Sequence, residues 1–211
     1  LIDKYGADGV RVGMLMTAPA GNDLLFDEDL CSQGSFFANK VWNAFRLVGM
    51  WEAGSQGMSA SESLSVQWMR NRIGEALVEL ESSFEKYRLS EALMTTYKLV
   101  WDDFCSWYLE MVKPAKGEQI SAEALDATKS IFNTLLEIMH PFMPFITEEL
   151  WQNLAERGEG ETINFAAWPT LKVEDQAILK SYAHFAEVVS GVGTVRNENG
   201  IAPKEMLTIE I

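Results

Sequence analysis

Residues 27–51 read DEDLCSQGSFFANKVWNAFRLVGMW, a proline-free stretch whose apolar side chains recur at helical spacing. Asp27 suits the N-cap, where its carboxylate can accept from free backbone N–H groups. Glu28 and Asp29 set negative charge at the positive end of the helix dipole. At about 100° per residue, Phe37, Val41, Ala44, Phe45 and Val48 form one apolar stripe. A helix with one greasy face must bury it against other elements, which commits this part of the chain to helix packing. Phe36, Lys40, Asn43 and Leu47 form a second stripe, roughly a third of a turn away.

The same pattern continues on both sides. Residues 1–19 read as an amphipathic turn or short helix stopped by Pro19, and Gly21-Asn22-Asp23 marks a turn. Met69, Ile73, Ala76, Leu77 and Leu80 predict a helix over about 64–84, after a polar loop at 54–63. Ser90 is expected to cap the next helix, which runs to about Val112. Its main stripe is Leu93, Tyr97, Val100, Phe104, Trp107 and Met111, widened by Trp101, Cys105 and Tyr108. Ser121 caps a helix to about Met139, Pro141 and Pro144 interrupt the pattern, and Thr147 is expected to cap a further helix. Residues 162–168 read as extended, 173–196 as a last helix, and 207–211 as a short strand expected to pair with residues beyond this segment or with 162–168.

This predicts a mainly α protein, an antiparallel helical bundle with a small α/β extension at the C-terminal end. The expected divisions are a connector at 1–26, a bundle at 27–157 and the extension at 158–211. The opening LIDKYGADG reads like a segment already under way, so the chain is expected to be part of a longer polypeptide.

Charge limits the partners. With 31 acidic and 17 basic residues the net charge is −14, which argues against duplex DNA, whose binding requires a basic surface. There is no apolar run of membrane-spanning length and no signal sequence. Cys31 and Cys105 both fall in helical patterns and read as reduced packing residues, which favours a cytoplasmic setting. No phosphate-binding glycine loop, zinc-spaced cysteine pair or nucleophile–base constellation is present. His140 reads as a helix-end hydrogen-bonding residue, Asp102 and Asp103 point to different helix faces, and Glu148 and Glu149 read as dipole partners. The segment is therefore expected to hold no catalytic residue, metal or cofactor of its own.

The second stripe of 27–51 carries a ring, a cation, an amide and an aliphatic group. An unpaired base needs a flat or apolar surface, an edge partner and a counter-charge for phosphate, and this set supplies each. Between Asp29 and Glu52 the only charges are Lys40 and Arg46, a locally positive stretch in an acidic chain. The plainer reading is that such residues are filler on an exposed or helix-contacting side.

Several stretches, in order, are similar to the bacterial valyl-tRNA synthetase family: KYGADGVRVGMLMTAPAGNDLLFDEDL, FFANKVWNAFRLV, WDDFCSWYLEMVKP, HPFMPFITEELW and NGIAPKEMLTIEI. The resemblance spans nearly the whole chain and falls after the family's KMSKS loop. HPFMPFITEELW is shared with the isoleucine and leucine enzymes, whereas NDLLFDEDL with ANKVWNAFRLV is the valine-specific signal. It implies a helical bundle that binds the anticodon stem and loop of tRNA(Val). The parent enzyme would ligate valine to that tRNA using ATP with Mg, in catalytic, editing and coiled-coil domains that lie outside this segment. The parent is expected to be monomeric.

Lys40 and Leu47 match positions that in the family lie against anticodon bases. Asn43 and Phe36 share their face, and Asn39, Trp42 and Arg46 complete the motif, with Trp42 structural. Two departures are present: Ser35 and Phe36 stand where the family usually has Arg-Asn, and Gly193 where it tends to carry a basic residue. Two other readings remain open at this point, a structural spacer packed on the catalytic core and a stand-alone protein-interaction module.

Overall fold

A computed structural model describes residues 1–17, 26–202 and 204–208. The chain forms two compact units, Leu1–Glu174 and Asp175–Ile211. The first is a helical bundle. Its helices are α1 (Ile2–Thr17), α2 (Glu28–Gly49), α3 (Ala60–Glu85), α4 (Leu89–Lys98), a π-helical segment (Leu99–Tyr108), α5 (Leu109–Val112), α6 (Ala122–Met139) and α7 (Pro144–Leu154). Two short strands, β1 (Ala53–Gly54) and β2 (Ile120–Ser121), pair in parallel with Ala53 opposite Ile120. The second unit holds α8 (Gln176–Glu198), capped by Asp175, with none of its residues buried.

The helix starts follow capping chemistry, though not always at the expected residue. Asp27 caps α2 by accepting from Asp29 N at 2.9 Å, and Ser121 caps α6 by accepting from Ala124 N at 3.2 Å. The loop expected over 54–63 is shorter, because Ser59 and Glu62 close a reciprocal capping box that starts α3 at Ala60. Ser90 is not a cap: its hydroxyl donates to Leu15 O at 2.7 Å, and α4 begins one residue earlier with no side-chain cap. Thr147 is not a cap either. It sits one turn inside α7, donates to Met143 O and contacts His140 Nδ1 at 2.7 Å. The amides that open α7 are met from a distance of 137 residues, where the buried Asp8 carboxylate accepts from Phe145 N at 3.4 Å and Ile146 N at 2.8 Å. A carboxylate at a helix N-terminus satisfies orphan donors and the dipole together, so Asp8 ties α1 to α7.

His140 closes α6 and reaches both Thr147 and Asn164 Oδ1, the latter at 3.1 Å, as the helix-end reading expects. The segment expected to be extended at 162–168 instead contains a 3-10 turn, Ile163–Phe165. Thr162 sets it by accepting from Asn164 N and donating to Glu148. Leu207 and Thr208 show no strand, and 209–211, like the turn at 21–23 and Pro19, lie outside the described residues.

The core is the apolar stripe of each helix brought together. Phe37, Val41, Ala44 and Val48 are buried, as are Met69, Ile73, Ala76, Leu77 and Leu80. Phe104 packs on Phe132 at 5.1 Å, and Tyr108 hydrogen-bonds Thr128 at 2.8 Å. The stretch after Leu89 departs most from expectation. A π turn bonds i to i+5, so inward positions drift relative to an α register. Tyr108, Leu109 and Val112 are buried, while Trp107 and Met111 of the predicted stripe are half-buried.

Candidate nucleic-acid interface

Two glycine-lined contacts hold α2 in place. α1 and α2 approach so closely that a Cβ on Gly34 would lie 2.5 Å from Gly9 O, and one on Gly13 2.5 Å from Cys31 N. With Phe37, Val41, Ala44 and Val48 turned into the bundle, the next stripe is left outside. Phe36 is 61% exposed, and Asn39, Asn43 and Arg46 are exposed. Lys40 and Leu47 are half-buried at the border with the core. The six residues fall at i, i+3, i+4, i+7, i+10 and i+11, so they share one face. The structure therefore brings together all six residues read from the sequence.

Among the described residues, Asn39, Lys40, Asn43 and Arg46 form no side-chain hydrogen bond and no ion pair. The amides keep donors and acceptors free for a base edge. Arg46 stands in the last turn of α2, where the dipole favours a cation. Trp42 is 40% exposed and leans on Phe45 at 6.2 Å, around the helix from this face.

An aromatic floor lies beside Lys40. Lys40 Nζ lies over the Trp101 ring, 5.2 Å from its centroid. Tyr97 stacks on Trp101 at 5.4 Å and 11°, and Phe37 meets Tyr97 at 4.7 Å. Sequence periodicity assigns Tyr97 and Trp101 to the inward stripe, and both are half-buried. Their aromatic i, i+4 spacing was the available signal, but it is the spacing of core residues as well.

The segment carrying Trp101 is braced from behind. Arg72 donates to Asp103 at 2.8 Å and to Glu75 at 3.0 Å, so Asp103 faces inward while Asp102 is exposed. Burial outweighs the guanidinium and pushes the Asp103 carboxyl up to about 6. An unfolded aspartate titrates near 3.9, so the folded state favours the neutral acid. Its contribution to stability is greatest below about pH 4 and is lost as pH rises through about 6. In urea titrations from pH 4 to 7, wild type should lose about 1–3 kcal/mol relative to Asp103→Asn, which stays neutral throughout. A pH-independent difference between the two would show that the Asp103 carboxyl titrates alike folded and unfolded, the Arg72 guanidinium fully offsetting burial.

Both thiols are protonated packing groups. Burial raises Cys31 and lifts Cys105 to about 12, and neither cysteine is bridged. Among the described residues no cluster of three His, Cys, Asp or Glu could hold a metal, and no helix is long and apolar enough to cross a membrane.

Known proteins are similar to this chain over its whole length. A valine–tRNA ligase from Christiangramia forsetii is 50% identical over the whole of this chain, which corresponds to 24% of that protein. One from Phocaeicola vulgatus is 48% identical, again over the whole chain and 24% of the relative. One from Listeria monocytogenes is 37% identical over the whole chain and 25% of the relative. The chain thus spans about a quarter of the length of these relatives. A solved LeuRS from Agrobacterium radiobacter, in a ternary complex with tRNA and LeuAMS, superposes with a TM-score of 0.56. It is 16% identical and covers 84% of this chain and 21% of its own, a likeness of fold. The sequence pattern described as the anticodon-binding domain of tRNA ligase matches residues 66–211, so the chain belongs to the anticodon-binding domain family of tRNA ligases.

Proposed function

We propose that the exposed face of α2 binds the anticodon stem–loop of tRNA(Val), as part of a valine–tRNA ligase that joins valine to that tRNA using ATP. The observation that carries this reading is the row Phe36, Asn39, Lys40, Asn43, Arg46 and Leu47, at or outside the border of the core, whose side chains form no hydrogen bond or ion pair among the described residues. The face offers a ring and an aliphatic group for stacking, two amides for base edges and two cations for phosphates.

The role is positional. Gripping the anticodon loop holds the tRNA so that its acceptor end reaches an active site in another domain of the parent chain. ATP and Mg belong to that domain, as does amino-acid activation. The parent works as a monomer in the cytoplasm.

In the intact ligase, Lys40→Ala should raise KM for tRNA about tenfold, the loss of roughly one charge-assisted contact. Valine–AMP formation should be unaffected. The alternative supported by the net charge of −14 is a spacer with few RNA contacts. Nuclease footprinting separates the two. Protection of the anticodon loop supports recognition, and protection confined to the acceptor arm would leave the segment a spacer.

A further inference from the structure

We propose that Trp101, on the π-helical segment rather than on α2, is the surface on which an unpaired base of the bound loop stacks, and that Lys40 covers it until the base arrives. The inference rests on the reading of α2 as an RNA face and adds a residue to it from another element.

Three observations converge on Trp101. Its ring is half-buried, and the group over it is a flexible lysine side chain with no carboxylate in ion-pair range among the described residues. The ring is held in orientation by Tyr97 at 5.4 Å and 11°, with Phe37 packed at 6.3 Å, so it is a fixed platform. Its backbone lies in a π turn, and Ser106 Oγ donates to Trp101 O at 2.9 Å. Such turns are rare and frequently sit at functional sites.

The exchange is favourable on general grounds. A cation over a half-exposed ring is held weakly, because the ammonium gives up hydration to sit there. Base–aromatic stacking at the same ring is worth more, and the displaced ammonium finds a phosphate of the same nucleotide. Lys40 thus keeps the indole covered in the free protein and becomes a phosphate contact in the complex. Phe36, one turn back on α2 and 61% exposed, stands near enough along the helix to meet a neighbouring base.

The test uses the intact ligase and tRNA carrying 2-aminopurine at single anticodon-loop positions. Wild type should quench one probe strongly. Trp101→Leu should lose that quenching and bind tRNA about 10–100-fold more weakly, while Trp101→Phe keeps both within a few fold. Photocrosslinking from a 5-bromouridine loop, mapped by mass spectrometry, should place a crosslink at residue 101 of wild type, which needs no folded variant. Unchanged affinity and quenching in Trp101→Leu, with Lys40→Ala and Asn43→Ala still weakened, would overturn the platform and leave the α2 face standing. Crosslinks confined to α2 would do the same. If Lys40→Ala and Asn43→Ala also bind like wild type, both readings fall together.

Discussion

Gly34→Ala should lower the free energy of unfolding by about 2–3 kcal/mol, and Gly13→Ala by a similar amount. At Gly34 the added methyl would lie 2.5 Å from Gly9 O and 2.9 Å from Val12 Cβ, and at Gly13 it would lie 2.5 Å from Cys31 N and 2.7 Å from Cys31 Cα. Real Cβ atoms do not come so close, and the opposing atoms are mostly main chain, which cannot rotate aside. The two helices must separate, stripping contact from Val12, Cys31 and Phe37, all fully buried. Gly49→Ala is the internal control. It ends the same helix, a Cβ there meets nothing within 4 Å, and replacing glycine in a helix gains up to about 1 kcal/mol. Urea titration of the three variants should therefore split them by sign. Gly34→Ala as benign as Gly49→Ala would mean that α1 and α2 are not in backbone contact. The two destabilised variants should also lose tRNA affinity, since α2 carries the proposed recognition face.

That close packing shows which features were readable. The α2 stripe needed only a period of 3.6 and one cap, both local, and Phe37, Val41, Ala44 and Val48 are buried as the pattern requires. The exposed stripe followed from the same arithmetic, so Phe36, Lys40, Asn43 and Leu47 were legible before any neighbour was known. What failed was non-local or register-dependent. Asp8 reads as a charge near the start of a short helix, and only the fold carries it to Ile146 N across 138 residues. Ser90 and Thr147 are good caps by residue type, but their hydroxyls turn to Leu15 O and Met143 O. The capping box at Ser59 and Glu62 lies within a polar stretch, Gly54 to Ser63, whose composition is that of a loop. The π register from Leu99 to Tyr108 leaves no compositional mark, and it is what shifts the buried positions at its far end to Tyr108, Leu109 and Val112.

Removing both cations of α2, as Lys40→Ala with Arg46→Ala, should weaken tRNA binding about 100-fold at low salt, two charge-assisted contacts at about 1.5 kcal/mol each. The salt dependence is the sharper readout. A cation that neutralises a single-strand phosphate releases condensed counterions, so each one lost should flatten the slope of log affinity against log salt by about 0.7. Asn43→Ala should lower affinity by a similar factor at every salt concentration, because an amide reading a base edge releases no counterion. Lys86→Ala should change neither quantity, since Lys86 is exposed just past the end of α3 and its ammonium already donates to Ser82 Oγ at 2.8 Å. The chain carries −14 overall and repels RNA at long range, so a helix with no acid after Asp29, whose Lys40 and Arg46 form no ion pair among the described residues, is where attraction can be concentrated. Filter binding or fluorescence anisotropy of the intact ligase from 50 to 300 mM salt measures all four proteins. Parallel slopes for wild type and the double variant would mean that Lys40 and Arg46 touch no phosphate, and the electrostatic half of this interface would have to lie elsewhere.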